Sequence, residues 1–119
     1  AAFHAAAVLS SNFAVVLASL ASNLFASLGI PERSAQHAVH GLMEGAVQNL
    51  GDISPADALT GPVVRGEIDT VMRHLAALRE FAEAKAVYKR MSLAALSMAA
   101  ERGTDAAQIE AMRKVLLLR

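Results

Sequence analysis

His4 and Asn12 are the first residues able to do chemistry. An imidazole gives or takes a proton near neutral pH. A carboxamide both donates and accepts hydrogen bonds, which suits it to holding a carbonyl or a hydroxyl. Two helical turns separate the pair, so one ligand on that side of a helix is within reach of both. The same two residues can equally cap or bridge neighbouring helices, because most buried polar groups are simply satisfied structural ones. A second constellation is the run Thr60-Gly61-Pro62-Val63-Val64-Arg65-Gly66. Gly61 and Gly66 permit close approach of backbone to a ligand. Arg65 can grip a carboxylate or phosphate through two parallel hydrogen bonds. A helix is expected directly after the run, and its free N–H groups and dipole would add to anion binding. Alternatively the run is a rigid turn with Arg65 paired to Glu67 or Asp69, and the motif alone leaves both readings open.

Other candidates are weaker. His37, His40 and Glu44 share one helix face and are metal-ligand types, but a single helix without a fourth ligand reads as a solvated face, and no metal site is expected. His74 reads as a packing or surface histidine. In the cluster Lys85, Tyr88, Lys89 and Arg90, Tyr88 can offer its hydroxyl to a ligand. The commoner role is anchoring one helix on another while the lysines reach solvent. The sequence has no G-x-G-x-x-G after a strand, no phosphate-binding G-x-x-x-x-G-K-[ST] and no nucleophile elbow. No cofactor fingerprint lies in this chain, and a complete active site is not expected within it.

The elements that must position these residues are all helices. Of the 119 residues, 55% are hydrophobic, much of that alanine, with few aromatic or β-branched residues to favour strands. A single helical domain over residues 1–119 follows. An uninterrupted helix is expected from about Ala2 to Leu28, with Phe13, Leu17, Leu20, Leu24 and Leu28 forming an apolar ridge. Its polar line is His4, Ser11, Asn12, Ser19, Ser22 and Asn23. Gly29 stops it and Pro31 opens a second helix ending near Leu50 and Gly51. Ser54, Pro55 and Asp57 make a start signal for a short third helix. Glu67 and Asp69 suit the positive end of a helix reaching about Arg79. A fifth helix spans Ala82 to Arg102 and is closed by Gly103. Thr104 is expected to cap the last helix, with Ile109, Met112, Leu116 and Val115 on its apolar face.

The formal net charge is zero and there is no basic block, so nothing supports nucleic-acid binding. The absence of cysteine excludes disulfides and thiolate metal sites. Ala1 begins inside a helical pattern, with neither a cap nor a basic signal region, and reads as the middle of a longer protein in the cytoplasm. From Ala5 to Leu28 no residue is charged. Length alone would admit a membrane span of about 20 residues, but serines and asparagines within it and the lack of basic or aromatic flanks argue against one. Such a helix, too apolar for a small bundle to bury alone, points to an intertwined homodimer.

The segment from His4 to Asn12, the run Ala58-Leu-Thr-Gly-Pro-Val-Val-Arg-Gly66 and the pair His74-Leu75 together resemble the uncharacterised C-terminal domain of bacterial Rossmann-like, NADP-oxidoreductase-like proteins. The likeness runs over essentially the whole chain. Members usually carry Asp after the last glycine where this chain has Glu67, which keeps the charge. The resemblance implies a fold similar to the all-helical C-terminal domains of 6-phosphogluconate dehydrogenase and pyrroline-5-carboxylate reductase. In that group an N-terminal Rossmann domain, absent from this chain, holds NADP or NAD. The helical domain dimerises and closes over the substrate. Many hydroxyacid dehydrogenases of the group use a lysine on the long first helix, and here that helix has none. The implied site therefore has His4 handling a proton, Arg65 holding an anionic group, and Asn12, Thr60, Gly61 and Gly66 lining the substrate cleft. The chain is not expected to be active alone. The competing reading is a non-catalytic dimerisation or small-ligand-binding module.

Overall fold

In the computed structural model, which describes residues 1–118, every regular element is a helix. The chain divides into two compact units, Ala1–Gln48 and Asn49–Arg119.

The first unit contains α1 (Ala2–Ser10), α2 (Asn12–Ser27) and most of α3 (Glu32–Asp52). The expected unbroken first helix carries a defect at Ser11, where φ is −121° and ψ is −61°. The cause is local. The Ser10 hydroxyl donates to the Ala6 carbonyl at 2.7 Å, and the Ser11 hydroxyl donates to the Ala7 carbonyl at 2.8 Å. Serine bonding back to residue i−4 competes with the helical ladder and bends it. The ladder nonetheless resumes, with Val15 N–H donating to the Ser11 carbonyl at 3.3 Å. Ala2–Ser27 is thus one long apolar helix with a fault, and none of its most apolar stretch is buried. Gly29, at φ +86°, terminates it as expected. α3 runs two residues beyond its expected end and passes through Gly51, which does not take the left-handed conformation that would stop a helix.

The second unit holds α4 (Pro55–Ala58), α5 (Ile68–Ala77), α6 (Ala82–Glu101) and α7 (Ala106–Leu117). Its core is Val71 from α5, Leu96 from α6, and Met112 and Leu116 from α7, with Leu75, Tyr88, Leu93 and Ile109 packed around them. Each such side chain contributes roughly 1.5–3 kcal/mol by leaving water. The spacing of Met112 and Leu116 puts both on the face that α7 turns towards α5 and α6. Ser54 caps α4 as expected, accepting from the Asp57 N–H at 3.3 Å. α6 ends in a Schellman turn. Gly103 sits at φ +84°, Thr104 N–H donates to the Ala99 carbonyl at 3.0 Å, and Gly103 N–H donates to the Ala100 carbonyl at 3.1 Å. The cap of α7 differs from expectation. Asp105, not Thr104, accepts from the N–H groups of Ala107 and Gln108, at 3.0 and 3.2 Å. A carboxylate there also complements the helix dipole, which a threonine hydroxyl cannot do. Thr104 is used elsewhere.

Candidate functional site

Thr60 to Gly66 form a short, tightly determined structure rather than an open loop. Pro62 to Arg65 make a single helical turn, and Gly66 closes it as the left-handed residue of a second Schellman turn. Glu67 N–H donates to the Pro62 carbonyl at 2.9 Å, Gly66 N–H donates to the Val63 carbonyl at 3.1 Å, and Gly66 has φ +69°. Here glycine is required twice over, because a Cβ on Gly66 would also lie 3.1 Å from the side chain of Gln108 on α7. Gly61 is left-handed too, at φ +97°, with open space around it.

The turn is pinned from behind by the corner between α6 and α7. The Thr104 hydroxyl donates to the Val64 carbonyl, and Val64 is buried. Arg102 points Nη1 at three carbonyls that lead into the turn, those of Ala56 at 3.1 Å, Asp57 at 3.2 Å and Leu59 at 3.0 Å. These orphan acceptors at the end of α4 would otherwise face only water. Sequence reasoning missed Arg102, Thr104 and Gln108 as supports of the turn. They lie some forty positions downstream, and no local pattern links them to it.

Arg65 is the exposed cation of this turn, and it takes the paired alternative. Its Nε donates to one oxygen of Glu67 and its Nη2 approaches the other at 3.5 Å. The shared hydrogen bond holds the Glu67 carboxyl below the ordinary glutamate range and raises Arg65 further, with slight desolvation opposing both shifts. Because Glu67 spends its carboxylate on Arg65, it makes no side-chain cap for α5, although it occupies the cap position. The turn therefore presents an exposed arginine already held in its bidentate posture by a half-buried acid. Thr60 is exposed beside Gly61.

The structure brings Thr60, Gly61, Arg65 and Gly66 into one turn of the second unit. His4 and Asn12 lie in the first unit, both exposed, on either side of the Ser11 defect. Asn12 Oδ1 accepts from the Ser11 hydroxyl at 3.3 Å. The defect thus falls within the segment expected to be regular, between the two residues meant to share a ligand. His40 lies 3.7 Å from Glu44, one turn along α3, and both are exposed. Among the described residues no three His, Cys, Asp or Glu side chains gather as a metal site would need. His74 and Tyr88 are joined. Nδ1 of His74 is 2.8 Å from the Tyr88 hydroxyl, and the rings meet edge to face at 5.7 Å. Tyr88 thereby anchors α6 to α5, and partial burial raises its pKa. Lys89 is not simply solvated, since its ammonium reaches the Leu118 carbonyl beyond α7.

A family model described as a domain of unknown function (DUF2520) matches residues 1–95. No curated protein and no solved structure matches the chain.

Proposed function

The chain thus belongs to the DUF2520 family, and we propose that it is the dimerisation and substrate-cleft domain of an NAD(P)-dependent oxidoreductase. In this reading its fold is that of the helical C-terminal domain of 6-phosphogluconate dehydrogenase, and a Rossmann domain of the same cytoplasmic protein carries the nicotinamide. The cofactor supplies or accepts a hydride when bound there. What this chain contributes is Arg65, which receives an anionic group of the substrate. Thr60 and the backbone at Gly61 and Gly66 border that group. His4 exchanges a proton with the substrate, and Asn12 fixes the carbonyl or hydroxyl being transformed.

One observation carries the dimer. The first helix has no charged residue and no buried one. Phe3 is 90% exposed, Val15 70% and Leu9 65%. Two further features support it. Leu42, Val47 and Leu50 stand out from α3 into water. Gly41 and Gly45, one turn apart on α3, face open space, with nothing within 4 Å of where a Cβ would be. Glycine inside a helix costs roughly 1 kcal/mol against alanine, and close approach of a partner's backbone is a reason to keep it.

Sedimentation equilibrium in detergent-free buffer tests this. The wild-type chain is expected to be a dimer at micromolar concentration, and Phe13→Glu a folded monomer. A soluble wild-type monomer at that concentration overturns the proposal. A second reading, a membrane span, is favoured by the length of Ala2–Ser27 and its lack of burial. It predicts recovery of the chain only with detergent. A non-catalytic module keeps the dimer and drops the chemistry, and the Arg65–Glu67 pair, already satisfied within the turn, favours it. NADPH turnover by the intact parent protein that falls on Arg65→Met separates the two.

A further inference from the structure

We propose that a recess between α5, α6 and α7 binds a small amphiphilic carboxylate, at a place separate from the Arg65 turn. The recess has a volume of about 210 Å³. That is about seven water volumes at ~30 Å³ each, room for a carboxylate on a short hydrocarbon chain and too little for a nucleotide. It opens at the C-terminal end of α5, whereas the Gly66 turn precedes that helix's first residue.

Its two sides differ in chemistry. The floor is apolar, formed by the half-buried Leu75 and Val115, with the exposed Leu118 at its edge. The rim is cationic, with Arg79 from the turn after α5, and Lys85 and Lys89 one turn apart on α6. None of the described residues lining it is acidic, in a chain whose formal charge balances to zero. Among the described residues no carboxylate pairs with Lys85 or Lys89. Lys89 is held at the mouth by donating to the Leu118 carbonyl, and an ammonium has three donors, so that bond leaves others for a ligand. Arg79 pairs with Glu80, but both side chains are 80% exposed. Such a pair is weak and readily exchanged for another carboxylate. Cations of two elements above an apolar floor match a ligand with one anionic end and one hydrocarbon end. A bare anion would leave the floor unused, and an uncharged hydrocarbon would leave the rim unused.

The test is an amide NMR titration of the full chain with butyrate, hexanoate and octanoate, and with 1-octanol as the uncharged control. Saturable shifts are expected at Leu75, Ala76 and Val115. Affinity should rise about fourfold per added methylene until the recess is full, and octanol should bind at least tenfold more weakly than octanoate. Lys85→Glu should weaken octanoate at least tenfold. Ala76→Phe, which fills the recess without changing charge, should abolish binding. Both positions border water, so both variants should keep the wild-type spectrum elsewhere. Equal affinity for octanoate and octanol overturns the proposal. So do shifts confined to the first helix, or undiminished binding by Ala76→Phe.

Discussion

Replacing Gly45 by alanine separates a lone chain from a paired one, because the two cases give effects of opposite sign. The glycine lies in the interior of α3, does not adopt a left-handed conformation, and has nothing within 4 Å of an added Cβ. For the isolated chain only helix propensity changes, and alanine should stabilise by about 0.8–1 kcal/mol. In a small domain that corresponds to a melting point higher by about 4–8 °C. If a partner helix packs against this face, each added methyl crowds the contact at a cost of about 1–3 kcal/mol. A two-fold axis counts that cost twice. The dimer is then weakened by about 2–6 kcal/mol, a rise in Kd of roughly thirty-fold to twenty-thousand-fold. Thermal melts at several protein concentrations, with sedimentation equilibrium beside them, read both effects. The expected result is a higher melting point in the dilute monomer and a clearly larger Kd. A Gly45→Ala chain that melts higher and dimerises as tightly as wild type would refute the argument that this glycine face is a contact.

Three other outcomes follow from the second unit. Gly66→Ala should destabilise by about 1–2 kcal/mol from the left-handed backbone alone, with a further cost from displacing Gln108. Gly61→Ala, in open space, should show the backbone cost without the second term, and equal melting points for the two variants would contradict the Gln108 contact. Glu67 competes with any anion for Arg65. Its carboxyl is held below the ordinary range, so the pair is intact above that range and is lost as pH falls below it. Sulfate binding at the Gly66 amide, followed by NMR, should therefore strengthen on acidification below the ordinary glutamate range and in Glu67→Gln already at neutral pH. Indifference to both would remove Glu67 from the account. Tyr88 is the only tyrosine in a chain without tryptophan, so its ultraviolet titration is unambiguous. Because burial raises its pKa, the protection is complete below the unfolded value of about 10 and is lost as pH rises through the folded value. Ionisation in the folded chain should come later than in urea, and coincident curves would mean that the ring is not sheltered.

What could be read in the sequence was what local physics decides. The breaks at Gly29 and Gly103, the Ser54 cap and the apolar face of α7 each rest on residues within one or two turns of one another, and each stands where expected. The misses have the same explanation in reverse. Two serines in a row can bond to the helix or leave it alone, and the fault at Ser11 depends on which rotamers Ser10 and Ser11 take. Thr104 and Asp105 both satisfy the pattern for a helix cap. What decides between them is the Val64 carbonyl, forty positions upstream, which claims the threonine hydroxyl. Arg65 illustrates the middle case. The two alternatives, a free anion grip or a pair with a nearby acid, were both visible, and the fold takes the pair with Glu67. The clamp of Arg102 on three carbonyls could not be read at all, since an arginine at a helix end has no signature for the distant loop it will hold.

The distribution of charge gives the strongest physical distinction within the molecule. Before position 49 the only Asp, Glu, Lys or Arg residues are Glu32, Arg33 and Glu44, and the remaining charges lie in the second unit. That unit behaves as a water-facing domain should, with an apolar centre at Val71, Leu96, Met112 and Leu116 beneath a charged surface. In the first unit the order is absent. Ala35 and Val39 are its buried residues, while large apolar side chains such as Phe3, Val15, Leu28 and Leu42 stand in water. Scattered exposed leucines are ordinary, but a long exposed helix without Asp, Glu, Lys or Arg is not. Propensity alone does not sustain so long a helix, because in proteins most helical stability comes from packing an apolar face. In the proposed dimer the cover for that face comes from a second molecule, and Gly41 and Gly45 of α3, with no described atom within 4 Å of an added Cβ, lie where such a molecule could come close.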